Sequence, residues 1–286
     1  MIEKHFLDSN TILYGVFGDP IRHSKSPVML NRAFAEAGIN AAYAAFHIQP
    51  GQLKDAIHGV RALQFRGVNV TIPHKVEVMD YMDEIDEGAR IIGAVNTIIN
   101  DNGRLIGRNT DGIGYVRSLK EETGINLKGM KVLMVGAGGA ARGVGYALAK
   151  EGAAHIYVAN RTREKADELV KSMSSFTGTS GIGMDELGEV AGQVGLIVNN
   201  TSVGMYPNVD AVPMDTALIN SPTVVSDLVY NPLITRFLRE SEARGAKIHS
   251  GLGMFIYQGA YAFEYWTGKP APVAAMRQAV LDSFNE

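Results

Sequence analysis

The stretch Gly67-Val68-Asn69-Val70-Thr71-Ile72-Pro73-His74-Lys75 passes from an apolar strand into a polar, cationic mouth. Val68, Val70 and Ile72 alternate with Asn69 and Thr71. An extended chain sends the first set to a core and the amide and hydroxyl to the opposite face. Pro73 cannot continue a central strand and suits a first helical turn, which leaves Lys75 at the strand's C-terminal end, where ligands of α/β sheets collect. The plain alternative is a buried strand with a solvated lysine after it. Upstream, Ser24 and Ser26 precede an amphipathic stretch, 28–37. Ser26 reads as the N-cap and Pro27 as the first helical residue. Either the serines simply begin a helix, or their hydroxyls join its free N–H groups and positive dipole end to hold a carboxylate.

A second constellation handles a nucleotide. Gly136-Ala137-Gly138-Gly139-Ala140-Ala141 matches G-x-G-x-x-G/A, with an apolar strand before it (132–135) and a helix after it (142–150). The glycines permit the tight turn and let a pyrophosphate approach the helix N-terminus. The following strand, 155–159, ends in Asn160-Arg161-Thr162-Arg163, where an NAD enzyme places an acid for the ribose diol. No carboxylate stands there to repel a 2'-phosphate, and Arg161 and Lys165 are placed to pair with one, which favours NADP over NAD. A solvated helix start is the bland reading of the same residues. Asn96, amid apolar residues, is satisfied by the backbone or held for a ligand, and Asp111 is a helix cap on its own evidence.

These residues must be positioned by two lobes. Strands at 11–17, 42–48 and 67–72 alternate with helices at 28–37 and 52–63, a β-α-β-α-β order that implies a mostly parallel sheet. Helical stretches at 76–82 and 84–90, a strand at 93–99 and a hairpin turn at Asn102-Gly103 follow, before a helix at 113–121. After the glycine-rich unit come a helix at 162–171, strands at 196–199 and 223–228, a helix at 233–243 and a strand at 247–249. Gly251 opens an apolar helix to Trp266 with Gln258 in its middle, and a tail helix, 273–284, packs back on the first lobe.

With 286 residues, the chain suits two domains, each able to bury a core. Apolar residues are 46%, charged residues 20% and the net charge is −3, so nothing marks a nucleic-acid or anionic-membrane partner and small soluble substrates are expected. There is no cysteine, which removes disulfides, thiolate metal sites and thiol nucleophiles together. The start, Met1-Ile2-Glu3-Lys4-His5, is not followed by a signal-peptide core, and no apolar run approaches roughly 18 residues, so a cytoplasmic protein is expected.

Taken together, these motifs resemble the shikimate dehydrogenase family nearly end to end. The resemblance is carried by Gly18-Asp19-Pro20-Ile21 with Ser24-Lys25-Ser26-Pro27, Asn69 to Lys75, Gly93-Ala94-Val95-Asn96-Thr97, Asn109-Thr110-Asp111-Gly112, the Gly136 to Ala141 loop, Asn160-Arg161-Thr162, Asp227 to Pro232, and Gly251 to Gln258. It implies an α/β protein with a substrate-binding and catalytic domain, 1–111 and 251–286, and a Rossmann NADP-binding domain, 112–250. It implies reversible, metal-free, NADP-linked interconversion of 3-dehydroshikimate and shikimate by a monomer or homodimer. Lys75 and Asp111 would handle the proton, because the alcohol oxygen gains or loses one as hydride moves at carbon.

The resemblance puts Ser24 and Ser26 on the substrate carboxylate, and Asn69, Thr71, Asn96, Tyr230 and Gln258 around the rest of the substrate. It puts Gly136, Gly138, Gly139, Ala140, Asn160, Arg161, Thr162, Lys165, Thr201, Gly251 and Met254 on the cofactor. Arg108 departs from the aromatic residue or histidine usual at that place. A quinate or dual-specificity dehydrogenase is the first alternative, against which Ser26 leans, since quinate-preferring relatives carry threonine there. A non-catalytic NADPH sensor is the second, and it would have no use for Lys75 and Asp111.

Overall fold

The strand Ile12–Gly18 (β1) lies parallel to both of its neighbours, Ala41–His47 (β2) and Gly67–Val70 (β3). Helices Ser26–Glu36 (α1) and Leu53–Ala62 (α2) return the chain between successive strands, as parallel pairing requires. The structure is a computed structural model that describes residues 7–284. The opening Met1 to His5 lies outside the described residues. After β3 come Glu84–Ile85 (β4), a short helix Glu87–Ile92 (α3), and the hairpin strands Thr97–Asp101 (β5) and Arg104–Arg108 (β6). The sheet order is β2-β1-β3-β5-β6-β4, with β5 antiparallel to β3 and to β6. Asn102 (φ 52°) and Gly103 (φ 95°) take the left-handed conformations that a two-residue hairpin turn needs.

Three expectations are corrected here. Val68 and Val70 are buried, but Ile72 is 71% exposed, because β3 ends at Val70 and the chain turns before residue 72 can reach the core. Pro73 opens no α-helix: a turn leads instead to a 3-10 helix, Glu77–Tyr81. The helix expected over 84–90 begins only at Glu87, where the Asp86 carboxylate accepts from Ala89 N–H at 2.6 Å, and Glu84 and Ile85 join the sheet beside β6 instead.

The remaining strands form a second six-stranded sheet, all parallel: Lys131–Val135 (β7), His155–Ala159 (β8), Gly178–Ile182 (β9), Leu196–Asn199 (β10), Val224–Asp227 (β11) and Lys247–His249 (β12). Their order, β12-β11-β10-β7-β8-β9, is that of a doubly wound Rossmann sheet. Alternation along β7 shows why helices cover both faces. Val132 and Met134 join one core with the helices Asp111–Thr123 (α4), Gly139–Lys150 (α5) and Arg163–Lys171 (α6). Leu133 and Val135 join another with Leu187–Val190 (α7) and Arg236–Ala243 (α8). Strand β9, Gly-Thr-Ser-Gly-Ile, has no apolar alternation, and its pairing to β8 makes it a strand.

The helix Gly251–Thr267 (α9) and a last one, Val273–Asp282 (α10), complete the chain. One compact unit ends at Thr110 and resumes at Gln258, and the other is Asp111–Tyr257. In the first, Lys25 Nζ donates to the Ser283 carbonyl at 2.7 Å and ties the end of α10 to the start of α1, so the tail does return to the first lobe. Among the described residues, no helix is long and apolar enough to cross a membrane.

Trp266 fastens α9 to the first sheet. Its indole N–H donates to the Ile98 carbonyl at 2.9 Å, and its ring occupies the space where a Cβ on Gly67 would stand. Gly67→Ala is therefore expected to destabilise the protein by roughly 1 to 3 kcal/mol through overpacking. Urea unfolding checks this, and a change within about 0.5 kcal/mol, the size of an ordinary surface substitution, would show that the indole gives way freely.

Candidate active site

At the C-terminal end of β3 the chain gathers polar groups where a core would exclude them. Asn69 is buried, and its amide donates to the Asn96 carbonyl (3.2 Å) and Thr97 Oγ1 (3.1 Å) and accepts from the Tyr43 hydroxyl (2.8 Å). Asn96 is buried too: its Oδ1 accepts from Thr97 Oγ1 at 2.9 Å and from the Thr110 N–H at 2.9 Å, and its amide donates to Thr110 Oγ1 at 3.1 Å. Asn96 thus has backbone and side-chain partners at once. Thr71, just past the strand, sets its methyl against Gly18, which has no Cβ to block it. Lys75 is half-buried in the turn, with its carbonyl accepting from Val95 N–H at 2.8 Å. Gln258 is half-buried at the point where α9 enters this unit.

The serines sit differently from expectation. Lys25, not Ser26, occupies the cap position, Ser26 is the first helical residue, and no side chain caps α1. Ser24 Oγ accepts from the Ser26 N–H at 3.3 Å and stays half-buried, while Ser26 is buried beside the Tyr43 phenol. Arg108 lays its guanidinium over the Tyr265 ring at 4.3 Å, which accounts for a cation at that place. His74, between Pro73 and Lys75, is buried with Nε2 on the Ile48 carbonyl at 2.6 Å, and Nδ1 has no partner among the described residues.

The second unit carries the nucleotide features and Asp111, which is buried as the first residue of α4. Gly136 takes φ 99° and lies against Thr201 and Asn200, an approach that any Cβ would prevent. Helix α5 starts at Gly139 with Gly138 as its cap, no side chain bonds its first N–H groups, and open space lies where Cβ atoms on Gly138 and Gly139 would be. That geometry fits a pyrophosphate on the helix N-terminus, with Ala140 in the first turn. Asn160 accepts from Ala137 N–H at 3.3 Å and donates to the Thr162 carbonyl at 2.8 Å, joining the glycine-rich loop to the end of β8. Arg163 pairs with Glu186 at 2.7 Å, whereas Arg161 and Lys165 are exposed and make no ion pair among the described residues.

The other expected cofactor residues are less open. Thr201 donates its hydroxyl to Asn199 Oδ1 (2.7 Å) and accepts from Val203 N–H (3.1 Å), and Thr162 caps α6 through its carbonyl, which accepts from Lys165 N–H (3.1 Å), and not through its side chain. Gly251 abuts the Leu228 carbonyl, and Met254 is buried in the core under α4 and α5. Tyr230 stacks on Phe255 at 4.8 Å and 16°. Asp227, to which sequence reasoning gave no role, organises this end of the sheet. Its carboxylate accepts from Asn199 Nδ2 (2.9 Å), Val229 N–H (3.0 Å) and Thr235 Oγ1 (2.7 Å), so one buried group ties β10 to the chain entering α8.

A Rossmann sheet with an open glycine-rich helix start, accompanied by a second α/β unit rich in buried amides and hydroxyls, defines a dinucleotide-dependent enzyme of two domains. Family models for the shikimate dehydrogenase substrate binding domain (residues 16–98), shikimate/quinate 5-dehydrogenase (118–219) and the shikimate 5'-dehydrogenase C-terminal domain (251–281) all match. A shikimate dehydrogenase (NADP(+)) of Geobacillus sp. (strain WCH70) is 50% identical over 96% of this chain and 99% of its own. A crystal structure of a shikimate dehydrogenase in complex with NADP+ superposes with a TM-score of 0.92 at 43% identity, covering 98% of both chains. That of the Thermus thermophilus shikimate 5-dehydrogenase with NADP(H) and shikimate reaches 0.87 at 37% identity, covering 96% of this chain and 100% of its own. The chain belongs to the shikimate dehydrogenase family.

Burial pushes the Asp227 carboxyl up to about 6 from its ordinary 3.8, against the pull of the Val229 N–H, the Thr235 hydroxyl and the Asn199 amide. A folded-state value above the unfolded one means that the native protein binds the extra proton. Its stability contribution is full below about 3.8 and is lost as pH rises through about 6. The stability of wild type minus that of Asp227→Asn should therefore fall by roughly 2.5 kcal/mol between pH 4 and 7. Urea titrations across that range test it, and a difference that grows with pH would reverse the assignment.

Proposed function

We propose that this chain catalyses the reversible NADP-dependent reduction of 3-dehydroshikimate to shikimate, a step of aromatic amino-acid biosynthesis, in the cytoplasm. What carries this reading is that the likeness to NADP-dependent relatives covers the whole chain, the substrate-binding match at 16–98 included, and not the nucleotide fingerprint alone. NADPH supplies hydride to the carbonyl carbon. The N–H groups at Gly138, Gly139 and Ala140 take the pyrophosphate, with Gly136, Asn160, Thr162, Thr201, Gly251 and Met254 shaping the surroundings. Arg161 and Lys165, cations without an ion-pair partner among the described residues, take the 2'-phosphate. Ser24 and Ser26 hold the substrate carboxylate, and Asn69, Thr71, Asn96, Tyr230 and Gln258 surround the ring. Lys75 gives its proton to the carbonyl oxygen as that oxygen becomes an alcohol, and Asp111 shares in handling that proton.

Turnover of shikimate and quinate with NADP and NAD is the direct test: shikimate with NADP should be fastest, and a faster rate with quinate or NAD would overturn the specificity assigned. Arg161→Ala is expected to weaken NADP by roughly 1.5 to 3 kcal/mol and to leave NAD almost untouched. Equal losses for both would make Arg161 structural.

For Lys75, the alanine variant should lower kcat by roughly 10² to 10⁴ without changing NADP affinity. Arginine restores the charge but its guanidinium is a far weaker acid than an ammonium, so the arginine variant should stay slow. If it recovers most of the rate, the lysine is a fixed charge and not a proton donor.

A further inference from the structure

We propose that Tyr43 is a positioning residue for substrate recognition: its phenol holds the Asn69 amide so that the oxygen alone faces a ligand, and the group recognised there is a substrate hydroxyl. This rests on the assignment of Asn69 to the substrate made above.

The orientation of the amide follows from what its neighbours can do. A backbone carbonyl only accepts, so the Asn69 atom 3.2 Å from the Asn96 carbonyl is the nitrogen. The second N–H of that nitrogen goes to Thr97 Oγ1 at 3.1 Å, whose own proton goes on to Asn96 Oδ1 at 2.9 Å. Both amide protons of Asn69 are thus used inside the protein. Oδ1 faces Tyr43 at 2.8 Å, and there the phenol must be the donor. One lone pair on Oδ1 remains, and a lone pair accepts from O–H but repels a carboxylate or carbonyl oxygen. The substrate carboxylate and the reacting carbonyl are therefore excluded from Asn69.

Tyr43 has no freedom to present its oxygen otherwise. Its backbone N–H donates to Asn31 Oδ1 and its carbonyl accepts from Asn31 Nδ2, both at 2.8 Å, so α1 clamps this strand residue from both sides. The ring is buried and lies 6.2 Å from the Trp266 ring, with Ser26 beside its hydroxyl. Burial holds the phenol well above its usual range, so it stays a donor throughout the working pH range. A buried phenol that merely finds an acceptor would satisfy the same bonds, and the two cases differ in what they do to substrate.

Steady-state kinetics of wild type, Tyr43→Phe, Asn69→Ala and the double variant separate them. Tyr43→Phe should raise KM for shikimate about 5- to 30-fold, the worth of one misdirected hydrogen bond, with KM for NADP unchanged and kcat nearly so. Para-aminophenylalanine at position 43, which keeps a donor, should restore KM. In the Asn69→Ala background the phenylalanine should change KM no further. An unchanged KM in Tyr43→Phe, an equal loss in the Asn69→Ala background, or no rescue by the amino variant would overturn the proposal.

A measurement that needs no variant decides the case if Tyr43→Phe does not fold. Wild-type binding is compared for shikimate analogues in which each non-reacting ring hydroxyl is replaced in turn by hydrogen and by a keto oxygen. At one position the keto analogue should bind more weakly than the deoxy one, and keto binding at least as well at every position would overturn the proposal. Failure of wild type to oxidise shikimate with NADP would be a different result, since it removes the functional reading itself and this inference with it.

Discussion

A buried amide without matched partners costs about 1 to 3 kcal/mol, and the first unit is arranged so that two of them are matched. Asn96 takes the Thr110 N–H and the Thr97 hydroxyl, while Asn69 takes the Asn96 carbonyl, Thr97 and Tyr43. These residues come from β2, β3, β5 with the residue just before it, and the last residue before α4, so the network holds together segments that are distant in the chain. The strand ends are forced to be polar and rigid at the place where α/β sheets present ligands. Lys75 inherits that rigidity through the bond from Val95 N–H to its carbonyl.

The Rossmann unit obeys the same requirement with different groups. Asp227 is matched by three donors, and Asn199 returns its oxygen to the N–H and hydroxyl of Thr201. His249, at the end of β12, has Ser118 on Nε2 at 2.7 Å and Ser226 on Nδ1 at 2.8 Å. Loops at the strand ends are thereby held by side chains from the sheet. At the start of α5 the N–H groups lack a side-chain cap, and an anionic ligand complements that opening. Close packing completes the arrangement, because a Cβ on Gly112 would collide with the Gly143 backbone where α4 meets α5.

Much of this was legible along the chain because it is encoded locally. The short apolar runs at β7, β8 and β10, the glycine-rich turn between a strand and a helix, the Asn102-Gly103 hairpin and the apolar α9 each need only neighbouring residues to be recognised. The order of these elements determined a doubly wound sheet, and the ordered motifs determined the family. Strand β9 escaped, since four small and polar residues before a single apolar one become a strand only by pairing with β8. Ile72 escaped for the opposite reason: its pattern was right, but the strand stopped short of it.

Polar partnerships were decided by the tertiary structure alone. Tyr43 reads from sequence as an ordinary β-former, and nothing near it in the chain points to Asn69, 26 residues on. Thr97 and Thr110 stood inside recognised motifs, but only the approach of the chain after β6 to the start of β5 shows them bracketing Asn96. Asp227, likewise inside a motif, acquires its role from Asn199 and Thr235 on other segments. Ser26 looked like a cap because serine before proline often is one, yet the backbone placed Lys25 there. Apolar periodicity is a property of one segment and survives in the sequence, whereas a hydrogen bond is a property of two, and its second member is chosen only when the chain folds.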